Sequence, residues 1–128
     1  MPDPAYLWIQ VCEQLKWHNK GSDTCIDTLN RLWQKNVAAR HADGERLLQI
    51  PKLTEEMLNA HAEQWPLEKL AAVPRGHDRA APQYFAPVIV LHWFNRYFLL
   101  DGNTRVNFWL GHNNAGPHAV FRISQRDI

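Results

Sequence analysis

The chain has 128 residues, with 14 basic and 13 acidic side chains and a formal net charge of +1. That length fits one domain without room for a second independent core, and 45% hydrophobic with 21% charged residues excludes wholesale disorder. The near-neutral balance argues against a general nucleic-acid coat or a polybasic membrane binder. No run reaches the roughly 18 apolar residues that span a bilayer, and Met1-Pro2-Asp3-Pro4 lacks the basic start of a secretory signal, so a cytoplasmic protein with no membrane partner is expected.

Leu7, Trp8, Val11, Cys12 and Leu15 recur at helical spacing and predict an amphipathic helix from Pro4 to His18. Gly21 then stops the chain, and Ser22-Asp23 is the expected N-cap of a second helix. Its stripe is Ile26, Leu29, Leu32, Trp33 and Val37, reaching about Arg40. The short link implies an antiparallel hairpin over residues 1–42, cored by Trp8, Trp17 and Trp33, which is either plain packing or a groove for a protein partner. Cys12 and Cys25, the only cysteines, fall on the apolar faces. With no Cys-x-x-Cys they read as reduced core thiols. The seven histidines are scattered without a His-x-x-x-His pair, and no metal site is expected.

Beyond a turn at His41-Ala42-Asp43-Gly44, the stretch from Leu47 to Leu53 is ambiguous. Thr54-Glu55-Glu56 reads as the start of a third helix, with Met57, Leu58, His61 and Trp65 on one side. Pro66 ends it, and Leu67 to Val73 is a short fourth helical segment. Residues 74–87 hold three of the eight prolines together with Arg75, His77 and Arg79 and read as a long irregular loop. Val88-Ile89-Val90-Leu91 is a buried strand, with Tyr97 to Leu100 its hairpin partner across a turn at Asn95-Arg96. His92 on that strand reads as a core histidine. After Asp101-Gly102, Val106, Trp109 and Leu110 mark a helix ending at Gly111, and His118 to Ile123 is a last strand.

The informative stretch is Leu99-Leu100-Asp101-Gly102-Asn103-Thr104-Arg105-Val106, read as strand, tight turn, helix. Gly102 allows a sharp reversal close to a ligand. Helix-start N–H groups and the helix dipole favour an anion there. Arg105 can fork onto a phosphate and Asn103 and Thr104 add neutral donors. An ordinary strand-to-helix turn, with Arg105 bridging to Asp101, is the competing reading.

From Leu48 to Ile123 the sequence resembles the N-terminal domain of ParB-type partition proteins, in the ParB/sulfiredoxin superfamily. The residues that carry the likeness come in order: an Ile50-Pro51 strand, a helix from Thr54-Glu55-Glu56, a Pro87-Val88-Ile89-Val90 strand, an Arg96 to Gly102 strand running into the Arg105 helix, and a closing strand from Val120 to Ile123. The resemblance implies an α+β fold, a small mixed β-sheet with flanking helices over residues 45–128, preceded here by the helical hairpin, all within a single domain of residues 1–128. It also implies a nucleotide- or phosphate-binding corner, with Gly102 and Arg105 matching the family's glycine and arginine. Two departures matter. Sulfiredoxins have a cysteine where Asn103 stands, so sulfinic acid reduction is not expected. Partition proteins carry Gly-Glu-Arg-Arg where this chain has Gly102-Asn103-Thr104-Arg105, which puts CTP hydrolysis in doubt. Little chain follows Ile123 for a DNA-reading domain. Asp101 to Arg105 also resembles the Fic motif of AMP-transferring enzymes, but Tyr97 stands at that motif's histidine, which speaks against AMP transfer.

These readings give a nucleoside triphosphate with Mg²⁺ as the expected ligand. Gly102, Asn103, Thr104 and Arg105 would hold it, Arg75 and Arg79 would close as a lid, and Asp101, with Glu55, would be the catalytic carboxylates. The alternatives are an immunity- or adaptor-type interaction module using the Trp-rich hairpin, and a DNA-binding or nuclease-type protein.

Overall fold

The structure, a computed structural model, describes residues 4–16, 24–35, 52–74, 87–93 and 95–126. Helices α1 (Pro4–Leu15) and α2 (Cys25–Trp33) come first. A 3-10 turn (Glu55–Met57) leads into strand β1 (Leu58–Trp65), helix α3 (Leu67–Ala71), strands β2 (Val88–Trp93) and β3 (Arg96–Asp101), helix α4 (Asn103–Gly111) and strand β4 (His118–Gln125). The strands form one mixed sheet in the order β1-β4-β2-β3, antiparallel at β1–β4 and β2–β3 and parallel at β2–β4. The expected mixed α+β class with a small flanked sheet is therefore present.

Period-2 alternation divides the strand side chains between two cores. Leu58, Ala60, Ile89, Leu91, Phe98, Leu100, Phe121 and Ile123 meet Leu7, Val11 and Leu15 of α1 and Leu29, Leu32 and Trp33 of α2. On the opposite face Trp65, Val88, Val90, Leu99 and Val120 meet Leu70 and Val73 next to α3 and Val106 and Trp109 of α4. A three-layer arrangement follows, because a central strand such as β2 is buried on both sides and its apolar run cannot tolerate a wet face.

Several expectations change. The third helix from Thr54 is a single 3-10 turn followed by a strand. Leu58, Ala60, Ala62, Glu63 and Gln64 favour helix locally, but the eight-residue ladder from Leu58–Gln125 to Trp65–His118 overrides that preference. The Met57, Leu58, His61 and Trp65 stripe dissolves accordingly. Leu58 faces the α1 side, whereas Trp65 lies in the core beneath α3 and α4. The cap of α2 is Thr24, the residue just after the expected Ser22-Asp23. Its hydroxyl accepts from the Asp27 N–H at 3.2 Å while the Asp27 carboxylate accepts from the Thr24 N–H, a capping box. Cys12 and Cys25 are not reduced thiols. They form a disulfide joining α1 to α2, with Cα atoms 5.2 Å apart, in the range a disulfide needs. Arg96 belongs to β3 rather than to the turn. Trp17, Ser22-Asp23, the last turn of the second helix toward Arg40, the Ile50-Pro51 strand and the loop residues 75–86 lie outside the described residues.

Asn30 ties the start of the second segment to α2. Its side-chain amide donates to the Leu53 carbonyl at 2.8 Å and accepts from the Leu53 N–H at 2.9 Å. A buried asparagine thus satisfies a backbone peptide as a neighbouring strand would.

Candidate functional site

The corner builds from Asp101 upward. The β2–β3 register shifts between Ile89 and Val90, which pair with Asp101 and Leu99, so β3 carries one extra residue. Such a bulge re-aims the side chain beside it. Asp101 stands where both helical layers reach the sheet end. Its carboxylate is 3.0 Å from Arg105 Nη2 on α4 and accepts from Gln14 Nε2 on α1 at 3.0 Å. The Pro87 carbonyl accepts from Arg105 Nη1 at 2.8 Å and from Gln14 Nε2 at 2.6 Å. Gln14, Asp101 and Arg105 are all buried. Gly102 is the N-cap of α4 with φ of 119°, a left-handed conformation that suits glycine. A Cβ there would lie 2.5 Å from Val88 Cγ1 and 3.3 Å from Arg105 Nη2. The guanidinium therefore lies directly beneath the glycine at the helix start.

Asp101, Gly102 and Arg105 are thus brought together, Arg105 bridging to Asp101 as in the competing strand-to-helix-turn reading, with Asn103 and Thr104 half-buried in the first turn of α4. Arg105 faces inward to Asp101 and the Pro87 carbonyl. Arg75 and Arg79 lie outside the described residues. Glu55 lines a different place, a groove of about 330 Å³ with Trp8, Ile9, Leu58, Asn59, Ala60 and Arg126. Gln14 escaped the sequence reading, since nothing in an amphipathic helix marks one polar residue as reaching a turn 87 positions away.

A second polar group carries no sequence signal, because His61 and Glu63 sit in a stretch whose residues favour helix and His92 ends an apolar strand. On the face shared with Trp65, the sheet half left open beside α3 and α4 carries His61 and Glu63 from β1, Arg122 and Ser124 from β4, His92 from β2 and Tyr97 from β3. His61 pairs with Arg122, and His92 pairs with both Ser124 and Tyr97. Glu63 holds Arg122 in a fork, Oε1 to Nε at 2.9 Å and Oε2 to Nη2 at 3.1 Å, and Oε1 also accepts from Trp65 Nε1 at 3.0 Å. Arg122 Nη1 donates to Ser124 Oγ. Tyr97 stacks on His92 with ring centroids 4.4 Å apart and meets the edge of Trp65 at 5.1 Å. Those two aromatics stand on opposite edge strands, and the coiling of a twisted sheet lifts its diagonal corners onto one face. Lys69 Nζ sits 4.0 Å from the Trp65 ring centre.

The surroundings set the charges. Burial and then the Arg122 charge push His61 below its ordinary 6.5, against the pull of Glu63. His92 is pushed down by burial, then by Arg122, with Lys69 adding to the effect and Glu63 opposing it. Burial raises Glu63, but hydrogen bonds from Arg122 and Trp65, with the charges of Arg122 and Lys69, outweigh it and hold the carboxyl below its ordinary 4.5. At neutral pH the face therefore carries two neutral imidazoles, one carboxylate and two cations. No group of three or more His, Cys, Asp or Glu that could hold a metal ion occurs among the described residues, and none of the described helices is long and apolar enough to cross a membrane. Compared with protein-family models, with curated proteins and with solved structures, the chain matches none.

Proposed function

We propose that the protein binds a phosphate-bearing ligand, a nucleotide by its ParB-like resemblance, at the Gly102–Arg105 corner. The observation that carries this reading is Gly102. Its left-handed conformation, with Val88 packed where a Cβ would be, brings the start of a nine-residue helix to a turn with no capping side chain. The helix dipole favours an anion there, and the Asp101–Arg105 pair beneath the glycine is close to neutral. Asp101 does not oppose the anion, because its carboxylate is met by Arg105 and Gln14. The same engagement means that Asp101 does not fit the role of a Mg²⁺ ligand. Phosphate recognition is proposed, and no phosphoryl-transfer step is derived.

Thermal unfolding with CTP, ATP, GTP and pyrophosphate tests it. A ligand at 100 times its Kd stabilises by about 2.7 kcal/mol. Thr104→Glu places a carboxylate in the first turn, which suits the helix dipole but repels phosphate, so it should abolish the shift and leave the unliganded melting temperature nearly unchanged. The absence of a shift with every ligand overturns the reading.

One observation favours an interaction module instead. Tyr6 and Ile9 on α1 are each 56% exposed, and Ile9 lines the groove between α1 and β1. A partner covering that patch would protect Ile9 and Trp8, and a Tyr6→Ser/Ile9→Ser double variant would then lose the partner without losing the fold. The cytoplasmic location is likewise a proposal, against which the Cys12–Cys25 disulfide weighs, since such bonds persist mainly in oxidising compartments.

A further inference from the structure

The polar half of the sheet face, which neither α3 nor α4 covers among the described residues, is a cluster that the corner does not use. The register sets His61 and His92 on strands either side of Arg122, His61 directly across from it and His92 two residues further along. With strands about 4.8 Å apart, their backbones stand roughly 12 Å from one another with Arg122 between them, and His92 stacks on Tyr97 of the next strand. Both imidazoles are partly exposed, and neither is hydrogen-bonded to another described residue. Arg122 is pre-oriented by its fork to Glu63 and by Ser124, which fixes a planar cation in the middle of the row. Counting Arg122 and Lys69 against Glu63, the described residues of this face keep an excess positive charge, which suits an anion. It presents an acid–base pair but no thiol, since both cysteines are in the disulfide, and the Ser124 hydroxyl is buried and bonded to Arg122. A substrate that supplies its own nucleophile fits this chemistry.

We propose that this face is a catalytic site for the transesterification of a ribonucleotide phosphodiester, with His61 as base, His92 as acid and Arg122 as the phosphate-holding cation. His61 takes the proton of the 2′-hydroxyl as the 2′ oxygen forms its bond to phosphorus. The bond from phosphorus to the 5′ oxygen breaks, and protonated His92 gives its proton to that leaving oxygen. The products are a 2′,3′-cyclic phosphate and a 5′-hydroxyl, and proton exchange with water resets both rings. Glu63 stands two residues from His61 on the same face of β1 and favours the imidazolium formed there. The groups facing the two histidines are Glu63 from β1, Arg122 from β4, Lys69 from α3 and Tyr97 from β3. A bound phosphate offsets the Arg122 and Lys69 charges that disfavour protonated His92, so substrate binding itself readies the acid.

The test uses the dinucleotide CpA and its analogue with a 2′-deoxy first sugar, with products separated by chromatography and identified by mass. The expected result is cytidine 2′,3′-cyclic phosphate from CpA and no cleavage of the deoxy analogue. The rate should follow a bell-shaped pH profile, and His61→Gln and His92→Gln should each lose at least 100-fold. Glu13→Gln, at an exposed position of the far helix and prepared in parallel, keeps the wild-type rate, which separates the activity from a contaminating ribonuclease. Proton NMR of wild-type His61 and His92 with 3′-CMP gives a readout independent of turnover and of whether the variants fold, with both pKa values rising on binding. Cleavage that survives both histidine substitutions, cleavage of the deoxy analogue, or 3′-CMP binding without CpA cleavage overturns the assignment. So does the absence of both cleavage and NMR perturbation.

Discussion

Replacing Arg105 by alanine should cost the fold about 3–5 kcal/mol, the usual penalty for removing one partner of a buried ion pair. The Arg105 and Asp101 side chains are only 4% and 9% exposed, so water cannot solvate the carboxylate left behind. The Pro87 carbonyl loses one of its two donors as well. Against a total stability of about 5–15 kcal/mol for a domain of ordinary size, that loss is a large fraction. Urea unfolding followed by tryptophan fluorescence would show it as a midpoint lowered by about 2 M, taking a slope of about 2 kcal/mol per M. The double variant Asp101→Leu/Arg105→Met separates charge from packing. It removes both ions while keeping volume, so it should be more stable than either Asp101→Leu or Arg105→Met alone, with single costs in that double-mutant cycle that are far from additive. An Arg105→Ala cost below about 1 kcal/mol, or single costs that simply add, would falsify the view that this pair is a sealed structural latch.

Other measurements bear on the rest of the molecule. Gly102→Ala should destabilise by about 1–3 kcal/mol, and adding Val88→Ala should return only part of that, because the clash is relieved while the positive φ is not; equal stability of Gly102→Ala and wild type in urea would contradict this. Reduction of the disulfide, or Cys12→Ser/Cys25→Ser, should lower stability by about 3 kcal/mol, as the 13-residue separation closes a loop of that entropy, and a melting temperature indifferent to reductant would count against the bond. His61 and His92 are depressed in the folded state, so the unfolded chain binds their protons more readily. Their contribution is complete above 6.5 and fades as pH falls below it, and Glu63 adds a second loss as pH falls below 4.5. A stability profile flat from pH 7 to pH 4 would refute that sign. Thr24→Ala removes the capping box and should cost about 1 kcal/mol.

Elements with a strong local signature were legible in the sequence. The β-branched Val88–Leu91 run, the Asp101-Gly102 reversal and the apolar stripes of α1, α2 and α4 each carry their own period, and each lies where it is expected among the described residues, although α1 ends at Leu15 rather than His18. Strand β1 was hidden for a physical reason. Its Leu, Ala, Glu and Gln prefer helix, and only the long ladder with β4, some 60 residues away in the chain, makes them a strand. That one misreading also concealed the polar face, since His61 and Glu63 look unremarkable on a surface helix and become neighbours of Arg122 and His92 only once the register is known. The corner was half legible: the motif names Asp101, Gly102 and Arg105, but that Arg105 turns inward depends on Gln14 and on the Pro87 carbonyl. The disulfide was illegible because two lone cysteines on apolar faces carry no pairing information until the helices are packed.

Strand β4 is the last element of the described chain, yet it lies between β1 and β2. Until it has been made, β1 has no neighbour and the β2–β3 hairpin shows a bare apolar flank, so the sheet cannot assemble progressively as the chain emerges. Its closure is a late, long-range event, pairing residues as far apart as Leu58 and Gln125, and topologies of that kind fold slowly. A chain truncated before residue 118 would carry two unpaired hydrophobic edges, a species prone to associate with its own kind or to require a chaperone.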